Sequence, residues 1–142
     1  MGARVILLAV LAGCMAAPTT VNAEETTTGA QAAPLDKQPD AYLRAAQMQL
    51  KAADEFYNAG KIDEARTALD SLVTNSDKAT EAASRSHKHL KSLEIDLRKM
   101  SEHLRDLKGT LNLEDQPPVQ TVIDHLEGLR TKLLDLMFGK NK

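Results

Sequence analysis

The sequence predicts an all-α protein: a helical hairpin, then a long helix, then an antiparallel coiled-coil partner for that helix's second half. Three observations carry the prediction. Apolar residues recur at alternating spacings of three and four from residue 40 onward. Gly60 stops the first such run just before a second begins. Two later leucine stripes repeat every seven residues and match one another in reverse order.

The first helix is expected over about residues 40–59. Asp40 can cap it, and Leu43, Ala46, Leu50, Ala53 and Tyr57 form its stripe. After Gly60 the run KIDEARTALDSLV places Ile62, Ala65, Leu69, Leu72 and Val73 on one face of a second helix, about 61–74. So tight a turn folds the two helices back as an antiparallel pair. Within this pair FYNAGKIDEARTAL resembles the middle of a tetratricopeptide repeat, with Phe56, Gly60, Ala65 and Leu69 at fitting offsets. Gln49 stands where that family carries its tryptophan-type residue, and no proline closes the unit near residue 77. No second copy follows at the family's period of about 34 residues, and a solenoid needs roughly three copies. The resemblance therefore implies a hairpin of that geometry, without the family's peptide-binding groove.

After TNSD, with Ser76 or Asp77 as cap, a single long helix is expected over about 77–108. Leu90, Leu97, Leu104 and Leu111 repeat every seven residues, and Leu93, Met100 and Leu107 interleave. Ala79 and Ala83 extend the stripe backward with smaller side chains. GTLNLEDQPP then interrupts, with Gly109 weakening the helix end and Asp115 and Pro117–Pro118 suited to opening another. The last helix, about 117–138, carries Val119, Val122, Leu126, Leu129, Leu133 and Leu136 and ends at Gly139.

In an antiparallel pair, facing positions have a constant sum of residue numbers. Leu107 with Val119, Leu104 with Val122, Met100 with Leu126, Leu97 with Leu129, Leu93 with Leu133 and Leu90 with Leu136 all share one sum, 226. The same register sets Glu94 beside Arg130 and Asp96 beside Lys132, opposite charges that select orientation. The alanine-rich residues 77–89 are left over, and the hairpin of residues 40–73 is their expected cover.

Ahead of the helices lies an address. MGAR followed by VILLAVLAG is a short charged start and an apolar run too short to span a bilayer, as in a signal peptide over residues 1–23. LAGC resembles the lipobox of bacterial lipoproteins, which implies lipid attachment at Cys14. By that family's rules Met15 implies the outer membrane of a two-membrane bacterium. Val21-Asn22-Ala23 before Glu24 resembles an ordinary signal-peptidase site, which implies soluble export to the periplasm or beyond. Residues 24–39 mix Thr, Ala, Gln and Pro without periodicity and read as a disordered tether.

Composition narrows the function. Cys14 is the only cysteine of the 142 residues, so the expected mature domain has no disulfide. A formal charge of −2, or −3 once Arg4 is removed, is too balanced to predict nucleic acid or an acidic membrane as a partner. Four aromatics, Tyr42, Phe56, Tyr57 and Phe138, make no stacking platform. No glycine-rich phosphate loop, haem-attachment motif or nucleophile motif occurs, so no catalytic residue, no cofactor and no enzyme activity is expected. Ser84, Ser86 and His87 are neighbours on one turn, which is not a triad.

His87 and His89, two apart on a helix, point to different faces. His103 and His125 fall on one flank of the 226 register and are the weak candidates for a shared metal, without a clear third ligand. The tip Leu111, Leu113 and Asp115 and the hairpin aromatics Phe56 and Tyr57 are the candidate partner contacts. The expected function is binding or scaffolding at the cell envelope through contacts with unidentified envelope proteins. A periplasmic metal-binding or stress-responsive helical protein, and a self-associating structural coiled coil, are the alternatives. Monomer and dimer both remain open.

Overall fold

The computed structural model describes residues 37–139. The described residues lie within one compact unit, Ala33–Lys142. The expected signal peptide, Cys14 and the expected tether up to residue 36 lie outside the described residues. The rest is all-helical: α1 (Gln38–Asn58), α2 (Ile62–Ser86), α3 (Leu90–Thr110) and α4 (Gln116–Phe138). Helix α1 opens two residues earlier than expected, because Pro39 suits a first turn and extends the buried stripe. Asp40 therefore lies inside the first turn, where a carboxylate favours the helix dipole, and is not the cap.

The turn after α1 is closed by two backbone bonds, Lys61 N–H to Phe56 O (2.8 Å) and Gly60 N–H to Tyr57 O (3.1 Å). This pattern needs a left-handed residue, and Gly60 supplies it at φ 74° without a Cβ penalty. From there α2 runs back along α1. The buried residues of α1 (Pro39, Leu43, Ala46, Leu50, Ala53, Tyr57) fall in register with Ala83, Ala79, Ser76, Leu72, Leu69 and Ala65 of α2. Each of these pairs shares the residue-number sum 122.

That register corrects the expected boundaries. The break at 74–77 and the single helix over 77–108 do not form; α2 continues unbroken to Ser86 and α3 begins at Leu90. TNSD does not cap: Thr74 and Asn75 turn back onto α2 itself, Ser76 is enclosed without a hydrogen-bond partner, and Asp77 reaches His125 of α4. Thr74 Oγ1 donates to Asp70 O (3.0 Å), Asn75 Nδ2 donates to Ser71 O (2.8 Å), and Ser76 is fully buried. Ala79 and Ala83, read as the start of the long stripe, belong to the α1–α2 seam.

The chain reverses at His87–His89, where both histidines hold positive φ (53° and 62°). Left-handed backbone costs a non-glycine residue about 1–2 kcal/mol, so tertiary packing imposes this turn. The reason lies in where the partners stop. Beyond residue 83 the α1 stripe has no counterpart left, and Leu90 is the first residue of the stripe that α4 covers.

Helices α3 and α4 pack as the 226 register predicts: Leu93, Leu97, Met100, Leu104 and Leu107 are buried with Val119, Val122, Leu126 and Leu133. Arg130 donates to Glu94 (2.6 Å) and to Glu127 (2.6 Å), with Arg130 and Glu94 both mostly buried. Partial burial lowers the Arg130 pKa, but hydrogen bonds and charge from Glu94 and Glu127 outweigh it and hold the guanidinium above its usual range. The expected Asp96–Lys132 pair is not made. The other seam bridges are Arg105–Glu127 (2.9 Å) and Lys108 to Gln120 (2.7 Å).

The two hairpins lie side by side in the same orientation. Asp40 reaches His89 (3.8 Å) and Asp54 reaches His103 (3.7 Å), which sets α1 parallel to α3. Arg66 reaches Asp115 (3.8 Å) and Asp77 reaches His125 (2.7 Å), which sets α2 parallel to α4. Helices α2 and α3 touch each other and both remaining helices, while α1 and α4 do not meet.

Alanine and serine are frequent in the buried seams, and four buried hydroxyls, those of Tyr57, Ser76, Thr80 and Ser101, have no hydrogen-bond partner. Two substitutions should therefore move stability in opposite directions. Ala46→Leu overfills a fully buried seam and should lose about 1–3 kcal/mol. Ser101→Ala removes a buried, unsatisfied hydroxyl and should gain about 1 kcal/mol. Urea unfolding followed by circular dichroism reads both.

Candidate functional site

The predicted contact residues gather at one end of the bundle, where the α1–α2 turn and residues 111–115 lie together. Asp115 N–H donates to Asn112 O (3.0 Å), and Gln116 Nε2 donates to Leu111 O (3.0 Å), so the loop is folded on itself. Asp115 stands at the N-cap position of α4 but makes no side-chain cap bond. Its carboxylate instead lies 3.8 Å from Arg66 of α2 and is mostly buried. The capping role expected of Asp115 is thus replaced by a bridge that docks the loop on the first hairpin. Leu111 packs against the core, while Leu113 is 82% exposed. The loop thus holds Leu113 in solvent while Leu111 joins the core.

Tyr57 corrects the sequence reading. It is 7% exposed, lies within the α1–α2 seam and offers no surface to a partner. Its hydroxyl is buried without a hydrogen-bond partner. Burial is the main cause that raises its pKa above the usual phenol value; Arg66 works against the shift and Asp115 with it. Phe56 is half-buried against the core and lines a shallow depression with Gln49, Thr67 and Ala68, edged by Asp63 and Glu64.

The histidine pair is also rearranged. His103 faces Asp54 on α1, whereas His125 faces Asp77 on α2, so the two imidazoles serve opposite seams between the hairpins. The flank expected to hold both is divided because each helix of the second hairpin lies against a different helix of the first. Among the described residues no three His, Cys, Asp or Glu side chains come together to hold a metal. His87 and His89 make the connector, and His89 pairs with Asp40.

Sequence reasoning missed two surfaces. One is a groove of about 530 Å³ between α2 and α4, floored by Leu69, Val73, Pro118 and Val122 and edged by Arg66 and His125. It exists only because α4 lies along α2, and no local pattern marks that. The other is the end of α4, where Leu134 and Phe138 are exposed, Phe138 by 74%. Their signal was present: both fall off the stripe that the 226 register buries.

The chain matches no known protein family, no curated protein and no solved structure. The fold defines the class by itself, an all-α bundle of two hairpins. No helix among the described residues is long and apolar enough to cross a membrane.

The buried phenol gives this end a measurable signature. The fold favours neutral Tyr57, so its contribution is fully present below the unfolded phenol value of about 10 and is lost as pH rises through the higher folded value. Urea midpoints of the wild type should fall as pH rises above 10, and Tyr57→Phe should flatten that fall.

Proposed function

We propose that the protein is a cell-envelope binding or scaffolding module that acts through protein contacts and performs no catalysis. The observation that carries this reading is Leu113, exposed on a loop pinned by the Arg66–Asp115 bridge and the Gln116–Leu111 bond. Contact surfaces gain affinity when their loops are already ordered, since less entropy is lost on binding. The same half of the bundle, residues 49–74 with 101–126, carries five Lys and Arg against ten Asp and Glu. An acidic end with one protruding leucine suits a partner surface that is basic around an apolar pocket. The reading of LAGC as a lipobox adds a lipid anchor at Cys14; cleavage after Ala23 leaves the same module soluble.

Two experiments test this. A photo-crosslinking residue at position 113 should give a discrete adduct in envelope preparations, whereas one at Met48, equally exposed on α1, should not. Equal labelling from both positions, or none from 113, removes the tip from the function. Cys14→Ser should move the protein from the membrane fraction to the soluble envelope fraction. If both forms are soluble and begin at Glu24, the anchor is absent.

A further inference from the structure

The end of the bundle opposite Leu113 differs in both charge and polarity. Helix α1 begins there, beside the His87–His89 connector: Asp40 reaches His89, and Gln38 shares a small cavity with Arg85 and Ser86. Helix α4 ends here: in the 226 register Leu136 faces Leu90, the first residue of α3, so α4 runs two residues past it, to Phe138. This end of α4 bears exposed Leu134 and Phe138, four apart and so on one face.

Charge follows the same axis. The half of the bundle holding this end, residues 37–48 with 75–100 and 127–139, carries ten Lys and Arg against seven Asp and Glu. Lys37, Lys88, Lys91 and Lys132 are all exposed there, and Arg85 is paired with Glu81. The acids at the same extremity are Asp40, Glu81, Asp135 and Glu94, the last held by Arg130. The 36 residues that precede Lys37, with the apolar run Val5–Leu11 and Cys14, join the bundle at this end as well.

We propose that this end docks on an anionic phospholipid surface, with Leu134 and Phe138 entering the headgroup layer and Lys88, Lys91 and Lys132 facing the phosphates. Apolar side chains beside a basic patch are the combination that holds proteins at a lipid interface. Its effect is orientation. The segment before α1 brings the bundle to the membrane, and the patch decides which end faces it, so that the acidic end with Leu113 points outward. The choice of a lipid surface rests on the envelope reading above, but the contact itself needs no anchor.

The test uses residues 33–142, a compact unit whose buried core lies between Leu43 and Leu133, so it carries its fold without the anchor. Co-sedimentation is compared on vesicles of phosphatidylcholine alone and of phosphatidylcholine with about 30% phosphatidylglycerol, at low and high salt. Binding should be at least tenfold tighter on the anionic vesicles and should weaken with salt. Lys91→Glu with Lys132→Glu should lose about tenfold, and Phe138→Ser several-fold. Lys51→Glu with Lys61→Glu, the same charge change away from this end, should bind within twofold of wild type. Circular dichroism checks that every variant is folded. Equal binding by the two double variants, equal binding to both vesicle types, or a Phe138→Ser variant that binds as wild type would each overturn the proposal. So would a dimer that Phe138→Ser dissolves while vesicles bind nothing. The adduct at position 113 is read separately, so either idea can fail while the other stands.

Discussion

Because most of the side chains between α1 and α2 are small, the two backbones can lie close along nearly the whole length of α1. A seam of that kind tolerates little slippage. Each position pairs with one of fixed number on the other helix; every pair but Leu50–Leu72 includes an alanine, and a shift would set large side chains against each other at those places. The length of α1 then sets the length of α2. Since α1 starts burying at Pro39, α2 must run to Ala83 before its stripe is covered, straight through TNSD. The turn at His87–His89 follows, and with it the start of α3.

The second hairpin is built differently. Leucines fill the space between α3 and α4, and the mostly buried Arg130–Glu94–Glu127 cluster fixes orientation at its flank. Between hairpins the bridges are long or half-exposed pairs: Asp40–His89, Asp54–His103, Asp77–His125 and Arg66–Asp115. Exposed pairs of this sort add little stability individually, so they register one hairpin against the other more than they hold it. The consequence is an axis. The turns at Gly60 and at residues 111–115 gather at an acidic end, while the His87–His89 connector, the starts of α1 and α3 and the end of α4 gather at a basic one.

This axis ties the functional proposals together. On the two proposals made above, a lipid-facing end and a partner-facing end would be separated by four aligned helices, a spacer that holds a recognition loop away from a surface. Leu113 is presented by a loop folded on itself through the Asp115–Asn112 and Gln116–Leu111 bonds. The histidines that invite a metal reading are spent on the seams instead, one on each side.

The sequence by itself determined the helical class, the Gly60 turn and the pairing of α3 with α4, because those depend on periodicity, glycine sterics and a reverse-symmetric stripe. It also singled out Leu113 as a candidate contact at the loop, which is exposed. Only the tertiary structure decided the course of residues 74–90, the burial of Tyr57 and the separation of His103 from His125. Those depend on which helix lies against which. Local polar residues cannot cap a new helix when the old one still has a partner to cover, and no spacing along one chain segment states which neighbour will supply it.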